Sequence, residues 1–254
     1  MAMYDLVKLD FLFWALSMSL SGKTILITGA AGGLGSAIAL QCADQDADLV
    51  LLDKDRRGLS GLSDKLTSIG KTPPGLYPMD LAGAGPDDFS NLAKTIESEF
   101  GGLHALVHCA LDFDSLQPLD QIQPQHWLQS MQVNVNAPWL LSCALLPLLK
   151  KSGTGRLFFI LDDLETVTGA YWGAYGTCKT ALTGMVKQFD AALSNSAVCV
   201  RGINPGAMRT GFRAKVYHAE NPLSQPEPAV AARKICRMLT EDPSAYELMV
   251  DFSG

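Results

Sequence analysis

The chain has 254 residues, of which 48% are hydrophobic and 18% charged, and these proportions exclude an intrinsically disordered protein. Its formal net charge of −6 argues against a surface for nucleic acids or anionic membranes, which would need clustered lysine and arginine. Its six cysteines are scattered, with no CxxC pair and no histidine at a metal-ligand spacing. We therefore predict reduced thiols, no metal site and a cytoplasmic protein.

The first twenty residues are set apart from the rest by their pattern. The run from Phe11 to Leu16 is apolar but too short to span a bilayer, and Asp5 and Asp10 precede it where a signal peptide would be basic. We predict that residues 1–20 form an amphipathic extension, packed on the domain or on a partner subunit. The alternative is a start-site artefact, since Met18 directly precedes a natural domain beginning at residue 21.

From residue 23 onward, short β-branched runs alternate with helical patterns, as in a parallel sheet with crossover helices. The predicted strands are 24–28, 48–53, 75–79, 104–110, 157–161, 198–204 and 246–252. The predicted helices are 33–43, 56–69, 87–100, 125–150, 174–193 and 228–239, and 207–225 is predicted as a loop. Right-handed crossovers then give an α/β fold of one domain, residues 21–254: a Rossmann fold whose doubly wound parallel sheet has about seven strands flanked by helices.

A glycine-rich turn follows the first predicted strand and opens the first helix. It reads TGAAGGLG over 28–35, with glycines at 29, 32, 33 and 35. Glycines let a backbone turn sharply and approach a pyrophosphate, and the helix N-terminus offers N–H groups to the phosphates. This position between a strand and a helix predicts a dinucleotide site.

Asp53 closes the second predicted strand. A carboxylate there accepts hydrogen bonds from the adenosine ribose hydroxyls and repels a 2′-phosphate, so we predict NAD as the cofactor. Lys54, Arg56 and Arg57 lie nearby and could serve a 2′-phosphate instead, which keeps NADP as the less favoured alternative.

Five motifs in order resemble the short-chain dehydrogenase/reductase family. They are the glycine turn, Asp80-Leu81, Asn134, the pair Tyr175 and Lys179 in YGTCK, and Asn204-Pro205-Gly206 followed by Thr210. The resemblance implies that the cofactor is bound by Gly29, Gly33, Leu34, Gly35, Asp53, Asp80, Leu81, Lys179, Pro205, Gly206 and Thr210. It also implies that Asn134 anchors a water in a proton relay and that Lys179 binds the nicotinamide ribose.

Tyr175 and Lys179 have a physical logic of their own. Residues four apart share one face of a helix, so the two side chains project together. A phenol is a poor base at neutral pH, but a neighbouring ammonium and a cationic nicotinamide stabilise its phenolate. We therefore predict Tyr175 as the general acid/base and Lys179 as its electrostatic activator.

The chain departs from the family pattern at the active-site serine. That serine normally lies thirteen residues before the tyrosine, and the chain has Asp162 there, followed by Asp163. An ionised aspartate cannot donate to a substrate oxyanion, so activity requires that Asp162 be protonated, that it pair with a cationic or hydroxylated substrate, or that Thr166 or Thr168 supply the hydroxyl.

A second departure follows the fourth predicted strand. The family usually has Asn-Asn-Ala-Gly, and this chain has His108-Cys109-Ala110-Leu111. We predict that His108 is a structural substitute for the missing asparagine rather than a base. Leu111 takes the place of a glycine that leaves room beside the cofactor.

Two functional hypotheses follow. The first is an NAD(H)-dependent oxidoreductase acting on the alcohol/carbonyl pair of a small-molecule substrate, with Tyr175, Lys179, Asn134 and Asp162 at its catalytic centre. The alternative is a dinucleotide-binding protein with little or no catalysis, acting as a sensor or an assembly subunit. Loss of the serine favours the second, and retention of Tyr175 and Asn134 favours the first.

No sequence motif identifies the substrate. The segment containing Arg209, Phe212, Arg213, Tyr217 and His218 is predicted as a solvated lid. Its mixed aromatic and basic character would also suit a small polar or acidic substrate, which is the less favoured alternative. The family resemblance implies a homodimer or homotetramer assembled through the helices at 125–150 and 174–193. No nucleic acid or membrane partner is expected.

Overall fold

The computed structural model describes residues 19–253, so residues 1–18 of the predicted extension lie outside the described residues. The strands are β1 (Thr24–Thr28), β2 (Asp48–Asp53), β3 (Gly75–Pro78), β4 (Ala105–His108), β5 (Arg156–Ile160), β6 (Cys199–Asn204) and β7 (Met249–Asp251). They form one sheet in the order β3-β2-β1-β4-β5-β6-β7, and every neighbouring pair is parallel. The strand order reverses between β1 and β4, which confirms the doubly wound fold.

Helices cover both faces of this sheet. They are α1 (Gly33–Asp44), α2 (Arg56–Ser68), α3 (Pro86–Phe100), α4 (Pro124–Met131), α5 (Ala137–Lys151), α6 (Leu164–Val167), α7 (Gly173–Leu193), α8 (Gly211–Val216) and α9 (Pro228–Thr240). One core cluster joins the sheet to α1, α2 and α9, and the other joins it to α3, α5 and α7.

The two cores follow from the alternation of side chains along each strand. In β1, Ile25 and Ile27 enter the first cluster while Leu26 enters the second. In β5, Phe158 and Phe159 divide in the same way. Because both faces of β1, β2, β4 and β5 are buried, the sequences of these strands are largely apolar, as in other parallel sheets.

The long helix predicted at 125–150 is interrupted. A π-helical turn, Gln132–Asn136, separates α4 from α5 and ends two residues before Pro138. Proline lacks the N–H of the α-helical ladder and its ring crowds the preceding turn, so a wider turn at this place accommodates it. Pro147 lies inside α5.

Two short helices lie where no helix was predicted. The segment predicted as the loop 207–225 contains α8, whose first turn is capped by Thr210 accepting from the N–H of Arg213 at 3.2 Å. Helix α6 is capped by Asp163, which accepts from the N–H of Glu165 at 3.1 Å. Helices of four and six residues are too short for periodicity to reveal, so only their capping residues could have indicated them.

By length and composition, the helical stretch Pro124–Lys151 could cross a membrane. Half of its most apolar window is buried inside the fold, which is the pattern of a core helix.

Leu20, from the predicted extension, is buried, and its N–H donates to the carbonyl of Gln45 at 2.9 Å.

Candidate active site

A cavity of about 790 Å³ lies at the carboxyl ends of the parallel strands. It sits where the strand order reverses, which is the place where open α/β sheets bind ligands. Every residue predicted to bind the cofactor lines it: Gly29, Gly33, Leu34, Gly35, Asp53, Asp80, Leu81, Lys179, Pro205, Gly206 and Thr210. Tyr175 and Asp162 line it as well, whereas Asn134 is absent from its wall.

The glycine turn forms a cradle that side chains would fill. Gly29 has a φ of +64°, and a Cβ atom there would lie 2.7 Å from the backbone of Ala110. A Cβ atom on Gly35 would lie 2.2 Å from the carbonyl oxygen of Gly29. Helix α1 begins after Gly32 with no side-chain cap and no acidic residue in its first turn. Bare N–H groups at the positive end of a helix dipole fit a pyrophosphate.

Two residues of opposite charge, Asp53 and Lys54, lie at the end of β2 beside the glycine turn. The Oδ2 atom of Asp53 accepts from the N–H of Ala31 at 2.9 Å, and its Oδ1 atom accepts from the N–H of Asp55 at 2.9 Å. The carboxylate therefore ties the glycine turn to the strand end. Lys54 lines the same part of the cavity.

Tyr175 and Asp162 are in direct contact. The hydroxyl of Tyr175 donates to Oδ2 of Asp162 at 2.7 Å, and the tyrosine is buried. Burial and the neighbouring Asp162 carboxylate hold the pKa of Tyr175 well above its usual range. In this arrangement the phenol is neutral and its proton points at a carboxylate.

Lys179 lies one helical turn after Tyr175 and is buried beneath it. Its Nζ atom donates to the carbonyl of Ile160, at the end of β5, at 2.8 Å, and lies 5.3 Å from the centre of the Tyr175 ring. Burial lowers the pKa of Lys179, while the charge of Asp162 opposes that shift. The predicted pair is therefore brought together, with Asp162 as a third member.

Asn134 lies in the π-helical turn, and its amide is fully engaged by the protein. It exchanges two hydrogen bonds of 2.8 Å with the backbone of Asp112, and its Nδ2 atom also donates to Ser130 at 3.0 Å. Asn134 therefore anchors the loop after β4 to the helix. The structure gives it the place of a positioning residue behind the cavity wall.

His108 lies at the end of β4, outside the cavity lining. Its Nε2 atom is 2.9 Å from Oγ of Ser142, and its ring stacks on Phe159 at 4.8 Å. Burial lowers the pKa of His108 to about 3, so the ring is neutral. These contacts tie β4 to α5 and β5, as a structural substitute would.

The hydroxyls of Thr166 and Thr168, predicted as alternatives to Asp162, lie in different places. Thr166 lines the cavity, but its hydroxyl donates to Oδ2 of Asp163 at 2.6 Å. Thr168 does not line the cavity, and its hydroxyl donates to the carbonyl of Leu164 at 2.6 Å. Neither hydroxyl replaces Asp162 beside Tyr175.

An aromatic wall beside Tyr175 was not predicted. Trp172 and Phe212 line the cavity, with ring centres 5.7 Å and 5.3 Å from that of Tyr175. Phe113 packs behind them, edge-on to Tyr175 at 5.6 Å. Trp172 precedes Tyr175 by three residues and could have been placed on the same side of the helix start, but no sequence spacing connects it with Phe113 or Phe212.

The predicted lid includes helix α8 and is held by ion pairs. Arg213 binds Glu220 through two hydrogen bonds of 2.6 Å and 2.8 Å, and Arg209 pairs with Glu227. Arg213 also lies over the ring of Tyr217 at 4.3 Å. Phe212, Arg213 and Tyr217 line the cavity, whereas His218 is exposed and does not line it.

Comparison with known proteins agrees with this geometry. Residues 23–221 match the family model described as short chain dehydrogenase. Among curated proteins, the uncharacterized oxidoreductase YciK of Escherichia coli strain K12 is 33% identical over 210 residues, which covers 83% of each chain.

Two solved structures, both provisionally classed as short chain dehydrogenases, are similar throughout. The protein from Pseudomonas syringae is 36% identical with a TM-score of 0.87, covering 91% of this chain and 94% of that one. The protein from Shigella flexneri, complexed with NADP, is 30% identical with a TM-score of 0.86, covering 91% of this chain and 97% of that one.

Proposed function

The chain belongs to the short-chain dehydrogenase family, and from that premise we propose that it transfers hydride between a nicotinamide dinucleotide and the alcohol/carbonyl pair of a small substrate. The observation that supports this proposal is that the predicted dinucleotide-binding residues and the predicted catalytic residues Tyr175 and Lys179 line one cavity. A glycine cradle fitted to a pyrophosphate opens on the same space as the Tyr175 hydroxyl and Lys179.

Each residue of the centre has a distinct task in this proposal. A bound nicotinamide would supply or accept the hydride, and the protein would donate the proton to the substrate oxygen or remove it. Tyr175 is held neutral and donates that proton during reduction. Lys179 places a positive charge beneath the phenol ring, which stabilises negative charge on Tyr175 when the proton leaves.

Asp162 opposes proton donation by Tyr175 to a substrate, because the Tyr175 hydroxyl already donates its hydrogen bond to Asp162. Reduction of a carbonyl requires that Asp162 be protonated or that Tyr175 turn away from it. The same contact favours a second candidate function, a dinucleotide-binding protein without efficient catalysis, acting as a sensor or an assembly subunit. We propose the enzyme first because Tyr175 and Lys179 both face the cavity.

Dinucleotide binding and turnover of the Tyr175→Phe variant test the proposal. Calorimetry with NADH and NADPH should show binding to the wild type and equal binding to the variant, since the phenol oxygen lies outside the glycine cradle. Removing the acid should lower carbonyl-dependent turnover by about 10²–10⁴-fold. Equal turnover of the two proteins would remove Tyr175 from the mechanism, and failure to bind either dinucleotide would refute the proposal.

The choice between NAD and NADP depends on two opposing observations. Asp53 alone favours the ribose diol of NAD. The Shigella flexneri structure is complexed with NADP, which favours NADP for this chain over the NAD predicted from Asp53, and Lys54 is available to a 2′-phosphate. We propose that Asp53 weakens NADP binding and that Lys54 offsets this repulsion.

An Asp53→Asn substitution should shift the ratio of the NADP and NAD affinities toward NADP by roughly tenfold. The cause is the removal of a negative charge beside the 2′ position, and calorimetric titration with both dinucleotides measures it. Asp48→Asn is the matched control, because it removes the same charge at the opposite end of β2. An unchanged ratio in Asp53→Asn would show that this carboxylate does not face the 2′ position.

We also propose a homo-oligomer formed through α4, α5 and α7. Leu128 and Trp139 are 66% and 50% exposed on this helical surface, although they are large and apolar. A second copy packed on this surface would bury both side chains, which supports an interface there.

A further inference from the structure

The groups at the reacting centre present acceptors rather than donors. The Tyr175 proton is directed at Oδ2 of Asp162, and Oδ1 of Asp162 accepts from the N–H of Asp163 at 2.9 Å. An ionised carboxylate only accepts, and a hydroxyl whose proton is engaged offers only its lone pairs. A substrate oxygen would therefore meet two oxygens with no proton for it, whereas a substrate N–H would meet two acceptors.

The charges around this centre also favour a cation. Among the described residues that line this end of the cavity, the charged ones are Asp162, Asp163, Lys179 and Arg213. Arg213 is paired with Glu220 through two hydrogen bonds, and the buried cation Lys179 beneath the Tyr175 ring offsets the charge of one of the two carboxylates. The balance at this end of the cavity is therefore negative, and Asp162 is the carboxylate in contact with the Tyr175 hydroxyl, where a substrate would meet it.

The aromatic wall adds a second feature suited to a cation. Trp172 and Phe212 flank Tyr175 and line the cavity with it. Aromatic faces attract ammonium-type cations, most strongly where water is excluded, and Trp172 is buried. A carboxylate with aromatic neighbours is the chemistry that recognises an organic nitrogen cation.

We propose that this site reduces protonated imines to amines, with Asp162 holding the C=N nitrogen in its protonated form. This inference rests on the proposed function for its dinucleotide. The iminium carbon gains a hydride, with its two electrons, from the reduced nicotinamide, which is oxidised. The π electrons of the C=N bond become the lone pair of a neutral amine. No oxyanion forms, so the step needs no donor in the place of the missing serine.

The role of Asp162 in this step predicts which kinetic parameter changes when its charge is removed. The positive charge on the substrate is present before hydride transfer and disappears during it. Asp162 therefore acts chiefly on the binding and protonation of the imine, and removing its charge should raise KM more than it lowers kcat.

Binding of a stable amine tests the inference without turnover. The probe is 1,2,3,4-tetrahydroisoquinoline, a cation at neutral pH, and isochroman is its neutral isostere with oxygen in place of nitrogen. Calorimetry on the protein alone and on the protein with NADPH should show about tenfold or more tighter binding of the cation, and Asp162→Asn should abolish this preference. Glu165→Gln is the matched control, because it removes an exposed carboxylate that does not line the cavity.

Turnover completes the test, with 3,4-dihydroisoquinoline compared with 1-tetralone and NADPH oxidation followed by absorbance. The wild type should show about a hundredfold larger kcat/KM for the imine, and Asp162→Asn should raise the imine KM about tenfold or more. Absence of the cation preference, its survival in Asp162→Asn, or a failure of the NADPH-bound wild type to reduce the imine would overturn the inference. Failure to bind either dinucleotide would instead refute the proposed function, while the amine preference is still read from the protein alone.

Discussion

An Asp162→Ser substitution is expected to raise the carbonyl reductase activity of this chain by about 10²–10³-fold. Serine donates a hydrogen bond where Asp162 accepts one, and it frees the Tyr175 hydroxyl from its 2.7 Å contact with the carboxylate. Removing the carboxylate also removes one of the causes that raise the pKa of Tyr175, so the phenol becomes a stronger acid. Steady-state oxidation of NADPH with 1-tetralone measures the gain.

Asp163→Ser is the control for this gain. It makes the same substitution one residue later, where the carboxylate caps α6 and does not touch Tyr175. No rise in carbonyl activity is expected there. A wild type that is already active and gains nothing from Asp162→Ser would indicate that Asp162 works as a protonated acid. If neither protein reacts although NADPH binds, the dinucleotide-binding role without catalysis is favoured.

A Gly35→Ala substitution is expected to weaken dinucleotide binding by about tenfold to a hundredfold. The added Cβ would lie 2.2 Å from the carbonyl oxygen of Gly29, so the glycine turn must move. Forcing a methyl group into a closely packed place costs about 1–3 kcal/mol, and each 1.4 kcal/mol is a factor of ten in affinity. Calorimetric titration with NADPH and NADH measures the change.

Gly61→Ala is the control, because a Cβ there meets nothing within 4 Å and Gly61 lies inside helix α2. It should leave dinucleotide affinity unchanged and stabilise the helix by about 0.5–1 kcal/mol. A thermal unfolding curve for both variants separates loss of the site from loss of the fold. Unchanged affinity in a folded Gly35→Ala protein would show that the dinucleotide does not depend on this turn.

The cavity wall formed by the glycine turn and Asp53 could be predicted because each of its parts is local in the sequence. The glycine turn and Asp53 each lie at the end of a strand whose apolar run is visible in the sequence, and parallel strands bring their carboxyl ends to one edge. The 2′ preference could not be predicted in the same way. It depends on the balance of Asp53 and Lys54 around a ligand, and residue types alone do not measure that balance.

The substrate half was accessible only in part. The family resemblance implied that Asp162 lies near Tyr175, but only the fold shows that its carboxylate turns toward the hydroxyl. Asn134 was predicted to anchor a relay water, which stays a prediction, and only the fold shows that its amide bonds to the backbone of Asp112. Phe113 and Phe212 come from distant segments, so only tertiary packing places them together, edge-on at 5.4 Å.

The close approach of Gly33 to Thr210 joins the two halves mechanically. A Cβ atom on Gly33 would lie 2.8 Å from the side-chain methyl group of Thr210, and Thr210 is the residue that starts helix α8 in the lid. A shift of the glycine turn would therefore move Thr210 and with it the start of helix α8. We therefore expect the binding free energies of dinucleotide and substrate to be coupled, in which case each ligand alters the affinity of the other by the same factor.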